Sequence, residues 1–88
     1  MNENMFFMHR IKRTNGTFDK GIEVKDSYAA AKQSYHAYLG AYAYGQDKDK
    51  AGNIITDFVS CHITDMSGMA LMAETWRKLA DPEPEPEN

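Results

Sequence analysis

The fold is decided by residues 5–25, MFFMHRIKRTNGTFDKGIEVK, in which two runs that alternate apolar and polar residues flank Asn15 and Gly16. A two-residue type I′ turn needs positive φ at both central positions, and Asn-Gly supplies it with little strain. The pattern therefore predicts a β-hairpin in which Thr14 faces Thr17. The further predicted pairs are Ile11 with Lys20, His9 with Ile22, Phe7 with Val24, Lys12 with Asp19, and Met8 with Glu23.

The second strand of this hairpin predicts which side of the sheet is buried. Its apolar residues alternate with Asp19, Gly21 and Glu23. Successive side chains of a strand point to opposite faces, so the apolar set should turn towards the core together with its cross-strand partners. The residues predicted to face the core are Phe7, His9, Ile11, Phe18, Ile22 and Val24.

Residues 26–45 are typical of one amphipathic helix, with Asp26 or Ser27 as N-cap and Gly45 at its end. An apolar stripe about 100° wide runs along it, the width of an ordinary core-facing helix surface. Its members are Tyr28, Ala31, Tyr35, Tyr38, Leu39 and Tyr42. Burial in the core explains these tyrosines better than a cofactor or a base-stacking site, because each ring can be buried while its hydroxyl reaches the sheet edge.

Residues 46–52 are charged and are predicted to form a mobile loop. The β-branched residues of 54–65 and the segment 69–78 then predict a second hairpin around a three-residue loop, 66–68, with Gly68 in the left-handed region. The predicted core-facing pairs are Ile63 with Leu71, Cys61 with Ala73, and Val59 with Thr75. On the other face we expect Phe58 opposite Trp76 and His62 opposite Met72.

The element order ββαββ predicts an α+β domain in which a four-stranded antiparallel sheet carries one helix packed across one face. We expect this domain to occupy residues 1–80, and the Pro- and Glu-rich segment 81–88 to be a disordered acidic tail. The second sheet face is left without a cover. It should display an apolar set that forms a homodimer interface or docks on another protein: Phe6, Met8, Phe58, Met72 and Trp76.

Catalytic and cofactor chemistry find little support in the sequence. No metal site is predicted, because His9, His36, His62 and Cys61 have no spacing that aims two ligands at one ion. No glycine-rich phosphate loop and no activated nucleophile are present, so we expect neither catalytic residues nor a cofactor. The lone cysteine and the lack of a signal peptide or membrane-spanning stretch favour the cytoplasm.

Two alternatives to a protein-binding module remain open. Arg10, Lys12 and Arg13 form the densest basic cluster and could bind nucleic acid beside Phe6, although the net charge of −3 argues against it. The other alternative is a sponge or inhibitor that holds a small nucleotide signal near His36 and Tyr44.

Four stretches carry a resemblance: 10–22, 31–45, 57–61 and 74–76. With them the chain resembles small uncharacterised proteins encoded by bacterial phages and prophages. The resemblance implies a setting in the infected host cell, or on the phage particle, and action by binding a host or phage protein. It supplies no catalytic or ligand-binding residues.

Overall fold

The computed structural model describes residues 5–79, which form four strands and one helix. These are β1 (Phe6–Thr14), β2 (Thr17–Lys25), α1 (Tyr28–Tyr42), β3 (Thr56–Thr64) and β4 (Ala70–Arg77). The strands form one antiparallel sheet in the order β2-β1-β3-β4, with α1 across one face, which confirms the predicted α+β arrangement. The predicted tail, 81–88, lies outside the described residues. None of the helical structure in 5–79 is long and apolar enough to cross a membrane.

The first hairpin has the predicted register throughout, from Thr14 opposite Thr17 to Phe7 opposite Val24. Its turn has positive φ at both central residues, 51° at Asn15 and 79° at Gly16. The local turn chemistry therefore determines the pairing of all nine residues of β1.

Helix α1 begins where the sequence predicts, because the Ser27 hydroxyl accepts a hydrogen bond from the backbone N–H of Ala30 at 3.1 Å. It ends at Tyr42, before the predicted Gly45, and the chain then turns through positive φ at Tyr44 and Gly45. The predicted stripe is confirmed. Its buried members are Ala31, Tyr35, Tyr38 and Leu39, with Tyr28 and Tyr42 packed partly buried beside them.

Hydrogen bonds organise the segment that was predicted to be a mobile loop. The Asp49 carboxylate accepts from the backbone N–H groups of Ala51 and Asn53, both at 2.9 Å. The backbone N–H of Ile55 bonds to the carbonyl of Asp47 at 2.9 Å, and this bond leads the chain into β3.

The core lies between α1 and the two central strands, and the predicted orientation of the first hairpin is wrong. Met8 is fully buried beneath the helix with Val59, Cys61 and Ile63, whereas Phe18 is 59% exposed on the opposite side. The side chains predicted to face the core point away from α1, as the register shows. They are Phe7, His9, Ile11, Phe18, Ile22 and Val24.

Paired charges explain this orientation. The Arg10 guanidinium carbon lies 5.7 Å from the ring centroid of Tyr38, and its Nε lies 3.2 Å from a carboxylate oxygen of Glu23. Gly21 leaves room for this group, because a Cβ there would come within 2.9 Å of the guanidinium. The helix side of β1 thus holds a cation whose charge is matched by a carboxylate and an aromatic ring.

Lys12, two residues after Arg10 on the same side of β1, makes the same two kinds of contact, with a carboxylate and with an aromatic ring. Its Nζ lies 4.3 Å from the ring centroid of Tyr42 and 4.0 Å from Asp19. The helix therefore covers two charged side chains of β1 at little electrostatic cost, and the apolar edge of β2 turns outward.

The second hairpin has the predicted loop but a different register, because the ladder is irregular between Ile63 and Thr64. Gly68 has a φ of 88° and the Asp65 carboxylate caps the loop, yet Leu71 is left between two ladder pairs. Beyond this bulge each pair is shifted by one residue, so that β4 turns its other side to the helix. The observed pairs are Ile63 with Met72, His62 with Ala73, Cys61 with Glu74, and Val59 with Trp76.

Two alanine substitutions test which face is buried. We expect Met8→Ala to lower the free energy of unfolding by about 2–5 kcal/mol, because it leaves a cavity beneath the helix. Ile22→Ala removes a side chain that is 59% exposed. In dilute solution it should lower the free energy of unfolding by less than about 1 kcal/mol. Urea denaturation followed by circular dichroism measures both, and equal losses would contradict the observed orientation.

Candidate functional site

The candidate site is the uncovered face, the side of the sheet that points away from α1. Strand register and the alternation of side chains define its fifteen members. They are Phe7, His9, Ile11 and Arg13 on β1, Phe18, Lys20, Ile22 and Val24 on β2, Phe58, Ser60, His62 and Thr64 on β3, and Ala73, Thr75 and Arg77 on β4.

The half of the uncovered face formed by β1 and β2 is apolar. Ile22 is 59% exposed and Val24 56%, and both lie beside the partly buried Phe7 and Ile11. An antiparallel sheet with one solvated face ordinarily carries polar side chains there. Contiguous exposed apolar side chains mark a surface that binds something.

Three of the fifteen side chains of the uncovered face are cations. Arg13, Lys20 and Arg77 belong to it, and none of its fifteen side chains is a carboxylate. Asp19, Glu23 and Glu74 lie on the helix side. Asp57 of β3 lies 3.8 Å from Arg13 and lines the depression at one end of the face. Residues 5–79 contain ten Lys and Arg against eight Asp and Glu. The part of the chain that bears this face is therefore weakly basic, although the whole chain is acidic.

Two histidines lie side by side at the middle of the face. His9 and His62 are direct partners on the central strands, with ring centroids 4.1 Å apart and planes inclined by 5°. His9 Nε2 lies 3.0 Å from the hydroxyl oxygen of Thr64. Burial, and secondarily the charge of His9, lower the pKa of His62 below its ordinary value. This favours the neutral ring at physiological pH.

A depression of about 420 Å³ lies at one end of the face, lined by Arg13, Phe18, Asp57, Phe58, Arg77 and Lys78. The rings of Phe18 and Phe58 meet edge to face, with centroids 6.2 Å apart. The Arg77 guanidinium lies 5.5 Å from the centroid of Phe58, and Arg13 Nε lies 3.8 Å from the Asp57 carboxylate. Aromatic surface and guanidinium groups are thus presented together.

The predicted interface set is mostly misplaced. Phe6, Met8, Met72 and Trp76 pack against the core beneath or beside α1, and Phe58 alone lies on the uncovered face. The inverted orientation of β1 accounts for the first two, and the bulge at Leu71 accounts for the residues of β4. The sequence does contain the signal for the actual face, because Phe18, Ile22 and Val24 lie on one side of β2 together with Lys20. Hydrophobicity predicts the core for these three residues, whereas the structure places them on the uncovered face.

The structure also separates the residues of both alternative sites. Arg10 and Lys12 lie under the helix in ion pairs, so only Arg13 of the predicted basic cluster reaches the uncovered face. His36 is exposed on α1 and meets the ring of Tyr35 edge-on. Tyr44 is 52% exposed beyond the helix end, against Trp76. Neither His36 nor Tyr44 lines the depression described above.

Cys61 is fully buried in the core, and burial raises its pKa to about 12. It is therefore a neutral thiol at physiological pH and a poor nucleophile.

Within residues 5–79, no three His, Cys, Asp or Glu side chains form a group that could hold a metal ion.

The lowered pKa of His62 predicts a pH-dependent stability. As pH falls below about 6.5, the unfolded chain binds a proton at His62 more readily than the native protein does. The free energy of unfolding therefore decreases as the pH is lowered through this range. We expect His62→Gln to lose less stability than the wild type between about pH 7.5 and pH 5, measured by urea denaturation at each pH. The exposed His36→Gln is the matched control. An unchanged pH dependence in His62→Gln would contradict the assignment.

Comparison of the chain with protein-family models, with curated proteins and with solved structures finds no match.

Proposed function

We propose that the protein is a non-catalytic binding module that forms a two-fold homodimer through the uncovered face. The observation that carries this proposal is the exposure of Phe18, Ile22 and Val24, each more than half accessible on one continuous surface. Burying an exposed aliphatic or aromatic side chain contributes about 1.5–3 kcal/mol. A second copy of the same face would supply that burial on both partners at once.

The size of the face suits such a dimer. Strands of nine residues are roughly 30 Å long, and four of them are roughly 19 Å wide, which gives a flat outline of roughly 570 Å². Side-chain relief raises the accessible area above this outline. Stable interfaces bury about 800 Å² on each partner, and stacked sheets pack face to face at a separation of about 10 Å.

The distribution of charge fits the same arrangement. Arg13 and Arg77 lie at one end of the sheet and border the apolar half, while Lys20 lies on the outer strand β2. Interfaces ordinarily have this apolar core and polar rim.

The setting that we propose for this module is the cytoplasm of a phage-infected bacterium, where the dimer binds a host or phage protein. The resemblance to phage and prophage proteins supports that setting, with the phage particle as the alternative location. The single buried Cys61 is compatible with a reducing compartment. Binding needs no reactive group, which agrees with the unreactive state of this thiol.

Glutamate substitutions test the dimer. Light scattering at tens of micromolar protein should give the wild type a mass of twice the 10.0 kDa of one chain. Ile22→Glu and Val24→Glu should be monomers with unchanged circular dichroism. Both positions are exposed in the single chain, so the fold tolerates the charge. The dimer does not, because its interface would remove the carboxylate from water. Gln33→Glu on the exposed side of α1 is the matched control. A monomeric wild type, or dimeric glutamate variants, would contradict the proposal.

A second candidate function, binding of single-stranded nucleic acid, is favoured by the charge of the face. Phe18 and Phe58 offer rings for base stacking, and Arg13 and Arg77 flank them where phosphates would lie. A polyanion would gain from the three cations of the face, although Arg13 is also paired with Asp57, whereas self-association gains nothing from these cations.

Fluorescence anisotropy with a labelled oligothymidylate tests this candidate. If three cations contact phosphates, the logarithm of the association constant should fall with the logarithm of salt concentration with a slope of roughly −2. Arg13→Gln and Arg77→Gln should each weaken binding, while Lys32→Gln on the helix should not. Failure of the wild type to bind at low salt would exclude this function.

A further inference from the structure

We infer that His9 and His62 together form a chelating site for a first-row transition-metal cation such as Zn²⁺ or Cu²⁺. The two residues are direct cross-strand partners on the central strands, with ring centroids 4.1 Å apart. Because the backbone ladder already holds both rings side by side, binding the second ring costs little additional entropy. The inference does not depend on the proposed dimer.

The neighbouring hydroxyl orients one of the rings. Thr64 lies on the same face as His62, and its oxygen is 3.0 Å from His9 Nε2. When this nitrogen carries the proton and donates it to Thr64, Nδ1 of His9 keeps its lone pair for a metal. Histidine ligands generally donate their second ring N–H in this way, which sets the tautomer.

The rings must move slightly to share one ion. A metal lies near the plane of each imidazole that binds it, and the planes of these two rings are almost parallel, inclined by 5°. Sharing one ion therefore requires rotation about χ2, and the contact between His9 Nε2 and Thr64 must adjust with it. The uncovered face leaves room for this motion, since both histidines are only partly buried and α1 lies on the opposite side of the sheet.

The surroundings select the class of cation. The side chains in the same row are Ile22 and Ala73, and neither of them offers an oxygen ligand. Mg²⁺ and Ca²⁺ require oxygen ligands and are disfavoured here. Neutral imidazole nitrogen suits Cu²⁺, Ni²⁺ and Zn²⁺, with Cu²⁺ bound most tightly. Two protein ligands leave the other coordination positions of the ion free for water.

The third histidine of the chain makes a matched control available. Untagged wild-type protein is titrated with CuCl₂ and with ZnCl₂ by calorimetry, alongside His9→Asn, His62→Asn and His36→Asn. We expect saturable binding of one ion for each histidine pair. Each of the first two variants should weaken it at least about tenfold, because chelation needs both rings, while His36→Asn leaves it unchanged. Electron paramagnetic resonance of the Cu²⁺ form should show coupling to two ring nitrogens.

Several results would overturn the inference. One is the absence of saturable binding up to about 1 mM metal, which would leave His9 and His62 as a stacked aromatic pair only. Another is an equal loss in His36→Asn, which would indicate adventitious surface binding. A third is a loss in only one of the two face variants, because a single ligand is not a chelate. Circular dichroism of each variant shows whether the sheet is intact.

Discussion

The pairing of β1 cations with carboxylates and tyrosine rings is the interaction on which the arrangement of this sheet depends. Arg10 meets Glu23 and Tyr38, and Lys12 meets Asp19 and Tyr42. With the opposite face turned inward, the helix would cover His9 and Lys20 with no carboxylate to match them. An unpaired charge removed from water costs several kcal/mol, which is comparable to the gain from burying the apolar edge of β2. The protein therefore covers the charged side and leaves the apolar side to solvent or to a partner.

Local chemistry made the first hairpin and the helix predictable. The Asn15-Gly16 turn determines the register of nine pairs, and Ser27 with the tyrosine stripe determines the start and the buried side of α1. The orientation of the hairpin was not predictable in the same way, because period-two alternation defines two faces without saying which one a helix will cover. Hydrophobicity alone favours Phe18, Ile22 and Val24 for the core. The observed orientation, with the charged side of the hairpin against the helix, follows only when three elements are considered together. They are the carboxylates of β2, the cations of β1 and the aromatic rings of α1.

Two further features depend on contacts that a sequence does not display. The bulge at Leu71 shifts β4 by one residue, and a single unpaired residue in the strand exchanges its two faces. The predicted loop chemistry around Gly68 was right and still could not reveal it. The histidine pair depends on strand order: His9 and His62 become neighbours because β1 pairs with β3 in the middle of the sheet. No spacing rule relates residues that far apart in the chain.

The three binding properties argued for the uncovered face make different demands on it. Self-association uses the apolar half formed by β1 and β2, a polyanion would use the end that carries Arg13, Phe58 and Arg77, and a metal ion would use the row of His9 and His62 between them. A dimer and a bound strand compete, because each covers most of the same surface. A metal ion competes less with either, because it occupies only the row of His9 and His62 and leaves the rest of the face accessible.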